Sequence, residues 1–237
     1  MIVRLIKLLD KLINVIVLCF FFLCLLIAAL GIYDALTVYQ GANATNYQQY
    51  KKKGVQFDDL LAINSDVMAW LTVKGTHIDY PIVQGENNLE YINKSVEGEY
   101  SLSGSVFLDY RNKVTFEDKY SLIYAHHMAG NVMFGELPNF RKKSFFNKHK
   151  EFSIETKTKQ KLKINIFACI QTDAFDSLLL NPIDVDISSK NEFLNHIKQK
   201  SVQYREILTT NESRFVALST CEDMTTDGRI IVIGQIE

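Results

Sequence analysis

Near its C-terminus the chain reads RFVALSTCEDMTTDGRIIVIGQI (214–236), two apolar runs separated by a polar stretch that ends in the turn signal Asp227-Gly228. Runs this short, rich in Val and Ile and bounded by turn residues, are strands rather than helices. They predict an antiparallel hairpin over 214–221 and 229–236, joined by a wide loop. That hairpin sets Cys221, which ends one strand, beside Arg229, which opens the next. A guanidinium close to a thiol favours the thiolate and offers donors to an oxyanion. A cysteine closing an apolar strand is equally an ordinary small buried hydrophobe, and an arginine there an ordinary solvated strand end. The pair is a candidate that needs a partner.

Similar short runs fill the chain upstream. VMAWLTV (67–73) and HIDYPIV (77–83) flank a Lys74-Gly75 turn and read as a second hairpin; SVFLDY (105–110), SLIYAH (121–126), FSIET (152–156) and LKINIFACI (162–170) are further strands. Such a series predicts a mainly β domain, a barrel or a sandwich. Two helices interrupt it. One is expected from Val132 to about Lys143. The other runs from Ser188 to about Glu206, capped by Ser188-Ser189, with Phe193, Ile197 and Tyr204 as its inward stripe. Cys169, inside an apolar strand, is expected in the core.

A candidate partner for Cys221 lies about a hundred positions upstream, where the strand SLIYA runs into His126-His127. Polar side chains leaving a strand end face the rim of a barrel, where binding residues concentrate. Two surface histidines at a turn are the plainer reading, and alternation along the chain does not say which of them enters a cleft. A metal site is not supported: no third ligand is evident near the histidines, and Cys169 and Cys221 match no zinc spacing.

The N-terminus is of a different kind. LINVIVLCFFFLCLLIAALGIY (12–33) holds 22 residues without a charge, and as a helix at about 1.5 Å per residue it reaches across a hydrocarbon core. A cleaved signal peptide is the rival, but its apolar region is usually about 7–15 residues long, so a retained single-pass anchor is expected. Arg4, Lys7 and Lys11 precede the run and no Lys or Arg follows it before Lys51, which puts residues 1–11 in the cytoplasm and the rest outside the plasma membrane. Residues 34–56 read as a stalk and 57–237 as one domain. With 26 basic against 27 acidic residues and no long basic block, the chain lacks a nucleic-acid footprint. Gly and Pro together make only 14 of 237 residues, which excludes a low-complexity or disordered chain.

These segments taken in order resemble the sortases, the membrane-anchored cysteine transpeptidases of Gram-positive bacteria: an anchor helix, then IYAHHM with MFGEL after it (123–137), then LSTCED (218–223), then Arg229. WLTVKGTHIDYPIVQG (70–85), NNLEYI (87–92) and GSVFLDYRN (104–112) resemble class B in particular. The resemblance covers residues 57–237 and implies a closed eight-stranded β-barrel with N-terminal helices and a long helix before the penultimate strand. It implies Cys221 as nucleophile, His126 as acid and base, Arg229 as the arginine, and Asp223 as a possible helper of the histidine. It further implies substrate contacts at Asn88, Ile92, Tyr124, Leu178, Leu179, Ser219 and Glu222. Ala125 stands where the family has Gly and Ala217 where it has Thr. The implied activity is cleavage of a C-terminal sorting signal after Thr, with NPQTN-like signals among those used. The secreted protein passes to an amine of the lipid-linked cell-wall peptide precursor or of a pilin lysine, without metal or organic cofactor. A hydrolytic cysteine peptidase and a non-catalytic surface binding module are the alternatives.

Overall fold

A computed structural model describes residues 2–51, 57–182, 190–221 and 227–237, with the backbone alone at Lys190 and Cys221. The chain forms two compact units that divide after Gln40. The first is a single 40-residue helix, α1 (Ile2–Gly41), with no buried residue, whose apolar run is long enough to cross a membrane.

The second unit is built on nine strands: β1 (Val67–Thr72), β2 (Asp79–Val83), β3 (Val106–Leu108), β4 (Tyr120–Tyr124), β5 (Glu151–Thr156), β6 (Lys161–Asp173), β7 (Ser201–Tyr204), β8 (Phe215–Cys221) and β9 (Gly228–Ile236). Around the sheet the order is β5-β1-β2-β3-β4-β8-β9-β6, and a β5–β6 pairing closes it into an eight-stranded barrel. Closure gives each of these eight strands a neighbour on both sides. Two of the neighbouring pairs, β2–β3 and β4–β8, are parallel, so the barrel is mixed. The hairpin expected at 67–83 is present, turning at Gly75 with φ of 83°.

The pattern of burial shows why half of these strands are continuous apolar runs. Ile123, Val216, Leu218, Ile230 and Val232 fill the barrel interior, while their neighbours Leu122, Ala217, Ile231 and Ile233 belong to a second cluster on the outer face. Helix α5 (Lys190–Lys200) covers that outer face with Phe193 and Ile197, both fully buried. A strand buried on both sides has no polar face, so it loses the alternation that marks a half-exposed strand.

Three expectations need correcting. The helix expected over Val132–Lys143 is instead a 3-10 turn at Leu137–Arg141 followed by the short helix α3 (Lys143–Lys148). Asn131 and Met133 adopt positive φ, Pro138 lacks a donor, and the amide of Met133 is taken by the Tyr80 hydroxyl, so no α-helix can start there. The buried residues Phe134, Leu137 and Phe140 follow the three-residue repeat of a 3-10 turn. The helix expected over Ser188–Glu206 ends at Lys200, and Tyr204 lies in β7, paired with Ala168 of β6. β6 is 13 residues long while β5 pairs only as far as Asn165, so its remaining edge takes up a strand. The Ser188-Ser189 cap lies outside the described residues.

Third, part of the expected stalk packs on the barrel. Residues Ala44–Lys51 form a 3-10 helix in which Ala44 and Tyr47 are buried, and Ala42 just before it is buried as well. The Tyr80 hydroxyl donates to the Ala42 carbonyl at 3.1 Å, and the rings of Tyr47 and Tyr80 meet edge to face. Asp79 accepts from Trp70 Nε1, Thr72 Oγ1, Gln48 Nε2 and the Lys51 ammonium. Burial alone would raise its pKa, and these donors outweigh burial and hold it below the ordinary 3.8. Polar composition made 44–51 look like a spacer because only Ala44 and Tyr47 of its eight residues are buried, with Tyr50 partly so. Helix α2 (Phe57–Ile63) then leads into β1.

The docked segment makes a testable stability contribution. Tyr47→Ala should lower the free energy of unfolding by about 3 kcal/mol, as for other large aromatic truncations in a core. Urea unfolding of wild type and variant measures this, and a mere tether at 42–51 would leave the midpoint unchanged.

Candidate active site

The parallel pairing of β4 with β8 decides what can meet what. Tyr120 to Tyr124 run alongside Phe215 to Ser219, so the C-terminal ends of both strands reach the same rim of the barrel. β9 is antiparallel to β8 and starts at that rim, where Cys221 pairs with Arg229. The residues after β4, Ala125 and His126, are therefore delivered to the rim that carries the cysteine. Two hydrogen bonds hold this junction: Ala125 N–H donates to Ser219 O at 3.3 Å, and the buried Thr220 hydroxyl donates to Ala125 O at 2.9 Å.

A cleft of about 380 Å³ opens there, lined by His126, Arg229, Asn88, Ile92, Tyr124 and Ser219, together with Leu89, Phe107, Arg111, Ala125, Ala174, Leu180 and Thr220. His126 Nε2 lies 2.8 Å from the Ile92 carbonyl, an acceptor, so this nitrogen carries the proton and donates. His127 makes an isolated bridge with Met133 and does not line the cleft, which separates the two histidines that the sequence left equivalent. Arg229 Nη1 donates to the carbonyls of Asp227 and Gly228, at 3.2 and 3.0 Å, so its guanidinium is braced against the loop that leads into β9. Ser219 is buried in β8, and among the described residues its hydroxyl has no hydrogen-bond partner.

Of the other expected contacts, Leu179 is fully buried in the second cluster, with its carbonyl accepting from the Tyr120 hydroxyl at 2.9 Å, and Leu178 is partly buried against the same cluster. Leu180 is the residue of that run that lines the cleft. A short helix of one turn, α4 (Ser177–Leu180), turns successive side chains by about 100°, so a shift of one or two positions exchanges core for cleft. Glu222 and Asp223 lie outside the described residues. Cys169 is buried in β6, where desolvation pushes its thiol up to about 12 and leaves it protonated at neutral pH.

Sequence reasoning passed over the polar floor of the cleft. Asp109 is fully buried beyond the end of β3 and both of its oxygens are occupied. Oδ1 accepts from Arg111 N and Nε at 3.0 and 2.8 Å; Oδ2 accepts from Arg111 Nη2 at 2.7 Å, Asn88 Nδ2 at 2.8 Å and the Tyr124 hydroxyl at 3.3 Å. Burial works against ionisation of Asp109, but the Arg111 guanidinium and the other donors hold its carboxyl below the ordinary value. Burial, then the negative charge of Asp109, raises the Tyr124 phenol, so it stays a donor at neutral pH. The signal for this network was an Asp two positions before an Arg just after a strand, where an Asp side chain accepts from the backbone two residues on and so opens a turn, as Asp109 does from Arg111 N–H.

A family model described as the Sortase domain matches residues 71–237. The curated sequence "Sortase B" of Staphylococcus aureus is 34% identical over 183 residues, which cover 76% of this chain and 74% of that protein. A crystal structure of Spy0129, a Streptococcus pyogenes class B sortase involved in pilus biogenesis, matches with a TM-score of 0.74 and 99% identity, covering 78% of this chain and all of the other. The Staphylococcus aureus sortase B–substrate complex matches with a TM-score of 0.72 and 30% identity, over 84% of this chain and 93% of that one.

Because the folded state binds the ionised form of Asp109 in preference to the protonated one, the stability it contributes is complete above about pH 4 and is lost as the pH falls through its lowered folded value. Asp109→Asn should cost about 3 kcal/mol at neutral pH, the magnitude for breaking a buried ion pair, and flatten the decline of stability below pH 4. Thermal midpoints of both proteins between pH 2 and 7 check both points; parallel acid limbs would refute the assignment.

Proposed function

The chain belongs to the sortase family, in class B, and is therefore a cysteine transpeptidase; on that premise we propose that it joins secreted pilin subunits through a C-terminal sorting signal, as a membrane-anchored enzyme acting outside the cell. One observation carries the reading: the β4–β8 pair and the β8–β9 hairpin bring His126 and Arg229 to one cleft, with Cys221 paired to Arg229. The choice of pilin assembly over other surface anchoring rests on the likeness to the Streptococcus pyogenes protein involved in pilus biogenesis. The charges at Arg4, Lys7 and Lys11 before the apolar helix support an inward N-terminus.

In this reading the sorting signal lies in the cleft across Asn88, Ile92, Tyr124 and Ser219, and Leu180 takes the place first expected of Leu178 and Leu179. The Ser219 hydroxyl, buried and without a partner among the described residues, supports peptide contact there, since a buried hydroxyl without a partner is costly and an incoming peptide group relieves the cost. The Cys221 thiolate attacks the carbonyl carbon of the threonine, forming the C–S bond while Arg229 stabilises the oxyanion. The C–N bond then breaks as His126, acting as an imidazolium, gives one proton to the leaving amine and becomes neutral. An acceptor amine, that of a pilin lysine, attacks the thioester; His126 takes a proton from it, and the thiolate leaves. Glu222 and Asp223 are further candidates beside the cysteine, for peptide contact and for assistance to His126 respectively.

The test is a library of threonine-containing sorting-signal peptides offered to the purified enzyme, with thioester read as an intact-mass increase and ligation read after adding a pilin domain that carries a free lysine. Wild type should accumulate the thioester and pass it to the lysine; release as acid alone would make the enzyme a hydrolase. Cys221→Ala should fold and form no adduct, and His126→Ala should lose turnover while His127→Ala keeps most of it. Arg229→Lys should lower turnover roughly 10²–10³-fold at an unchanged melting temperature, because a point charge does not replace a planar fork of donors. Near-normal turnover in folded Arg229→Lys would remove this arginine from the mechanism.

A further inference from the structure

Arg111 links two segments about seventy residues apart. One side of its guanidinium grips Asp109, as described above. The other reaches across the cleft to the end of α4, where Nη1 donates to Asn181 Oδ1 at 2.7 Å and Nη2 to the Leu180 carbonyl at 3.2 Å. Ala174 and Leu180, at either end of the segment 174–181, both line the cleft. Its start is tied down by a hydrogen bond from Ala174 N–H to Asp227 O at 2.8 Å, and its middle by Asp176, which caps α4 and pairs with His196. Its end is held to the opposite wall at two points, by the Tyr120 hydroxyl of β4 on the Leu179 carbonyl and, nearer the cleft, by Arg111 on Leu180 and Asn181.

The opposite wall depends on the same ion pair. Asp109 Oδ2 holds the Asn88 amide and the Tyr124 hydroxyl, and Asn88 Oδ1 accepts the Tyr110 amide at 3.0 Å. Asn88, Tyr124 and Leu180 are thus all referenced to one buried carboxylate–guanidinium fork, with Arg111 its only group that reaches both walls among the described hydrogen bonds. Its charge is matched by Asp109, so its contribution is geometric.

We propose that Arg111 is a positioning residue for the peptide: it sets the separation of Leu180 from Asn88 and Tyr124 and so fixes the width of the cleft before substrate arrives. This rests on the reading that the cleft binds a sorting signal. A preorganised cleft spares the peptide the cost of ordering a wall, which appears in binding rather than in the chemical step. Lysine retains the charge but has one nitrogen, which cannot grip Asp109 and span to Leu180 and Asn181 together.

The experiment uses the peptide that acylates wild type fastest in the library above. Arg111→Lys should raise KM about tenfold with kcat within about twofold, and Asn181→Ala, which spares the ion pair, should raise KM about threefold. Amide hydrogen exchange of the free enzymes supplies a readout independent of turnover: the hydrogen-bonded amides of residues 179–181 should exchange at least about tenfold faster in Arg111→Lys while β4 and β8 keep wild-type protection. Unchanged exchange at 179–181 overturns the proposal, as does a loss confined to kcat. Exchange that rises through the whole barrel makes Arg111 merely structural. If Arg111→Lys does not fold, Asn181→Ala decides alone on the same two readouts. A wild type that no peptide acylates overturns the sorting-signal reading and this proposal with it, whereas an active wild type with variants of unchanged KM overturns only this proposal.

Discussion

The parallel pairing of β4 with β8 is the constraint on which the rest of the molecule depends. Parallel neighbours need a long crossover, and here the chain travels from Tyr124 through β5, β6, α5 and β7 before returning as β8. The excursion supplies the wall that closes the barrel and the helix that covers it. Because both strands point the same way, their C-terminal ends emerge together, and the bond from Thr220 to the Ala125 carbonyl fastens the histidine segment to the cysteine strand. An antiparallel arrangement of the same two strands would put His126 and Cys221 at opposite ends of the barrel.

A barrel of this size is filled by side chains, so the site cannot lie inside it. The interior is occupied by residues such as Leu71, Ile154, Ile123 and Leu218, all essentially inaccessible. The cleft is therefore built on the rim and outer face, from loops after β2, β3, β4 and β6 and the start of β9. Loops held by a rigid sheet are the usual carriers of binding residues, and here their rigidity is supplied by polar bonds rather than by apolar packing. Asp109 collects five donors from three places in the sequence, and Arg111 extends that set to the end of α4. A buried carboxylate with its lone pairs fully used has one low-energy arrangement, so the groups around it are held in register with one another.

The outer face is the second dependency. Phe167, Ala168, Ile170, Ala217 and Ile231 form an apolar surface that water would meet if α5 were absent, and Phe193 and Ile197 seal it. A bulge between Ile166 and Ala168 lets β6 change which of its residues face inward: Ile164 and Ile166 fill the barrel before it, and Phe167 and Ala168 join the outer cluster. Another face of the sheet is covered differently, by the 3-10 helix at Ala44–Lys51, whose Gln48 and Lys51 are held by the half-buried Asp79 together with Trp70 and Thr72 of β1.

What the sequence determined by itself was local. Short apolar runs bounded by turn residues located the strands, Asp227-Gly228 located the final hairpin, and that hairpin placed Arg229 beside Cys221 because both belong to one continuous stretch. The anchor-like helix was legible for the same reason, since 22 consecutive uncharged residues need no partner to be recognised. Resemblance, not pattern, supplied the barrel and the choice of His126. Only the tertiary structure decided which histidine lines the cleft, that Leu180 rather than Leu179 faces it, that residues 44–51 pack on the barrel, and that Asp109 and Arg111 form its floor. The physical reason is common to all four: each depends on a contact between segments remote in sequence. Periodicity reports which face of an element is apolar, but not which distant element will cover it, and a charged pair gives no periodic signal at all until the fold has buried it.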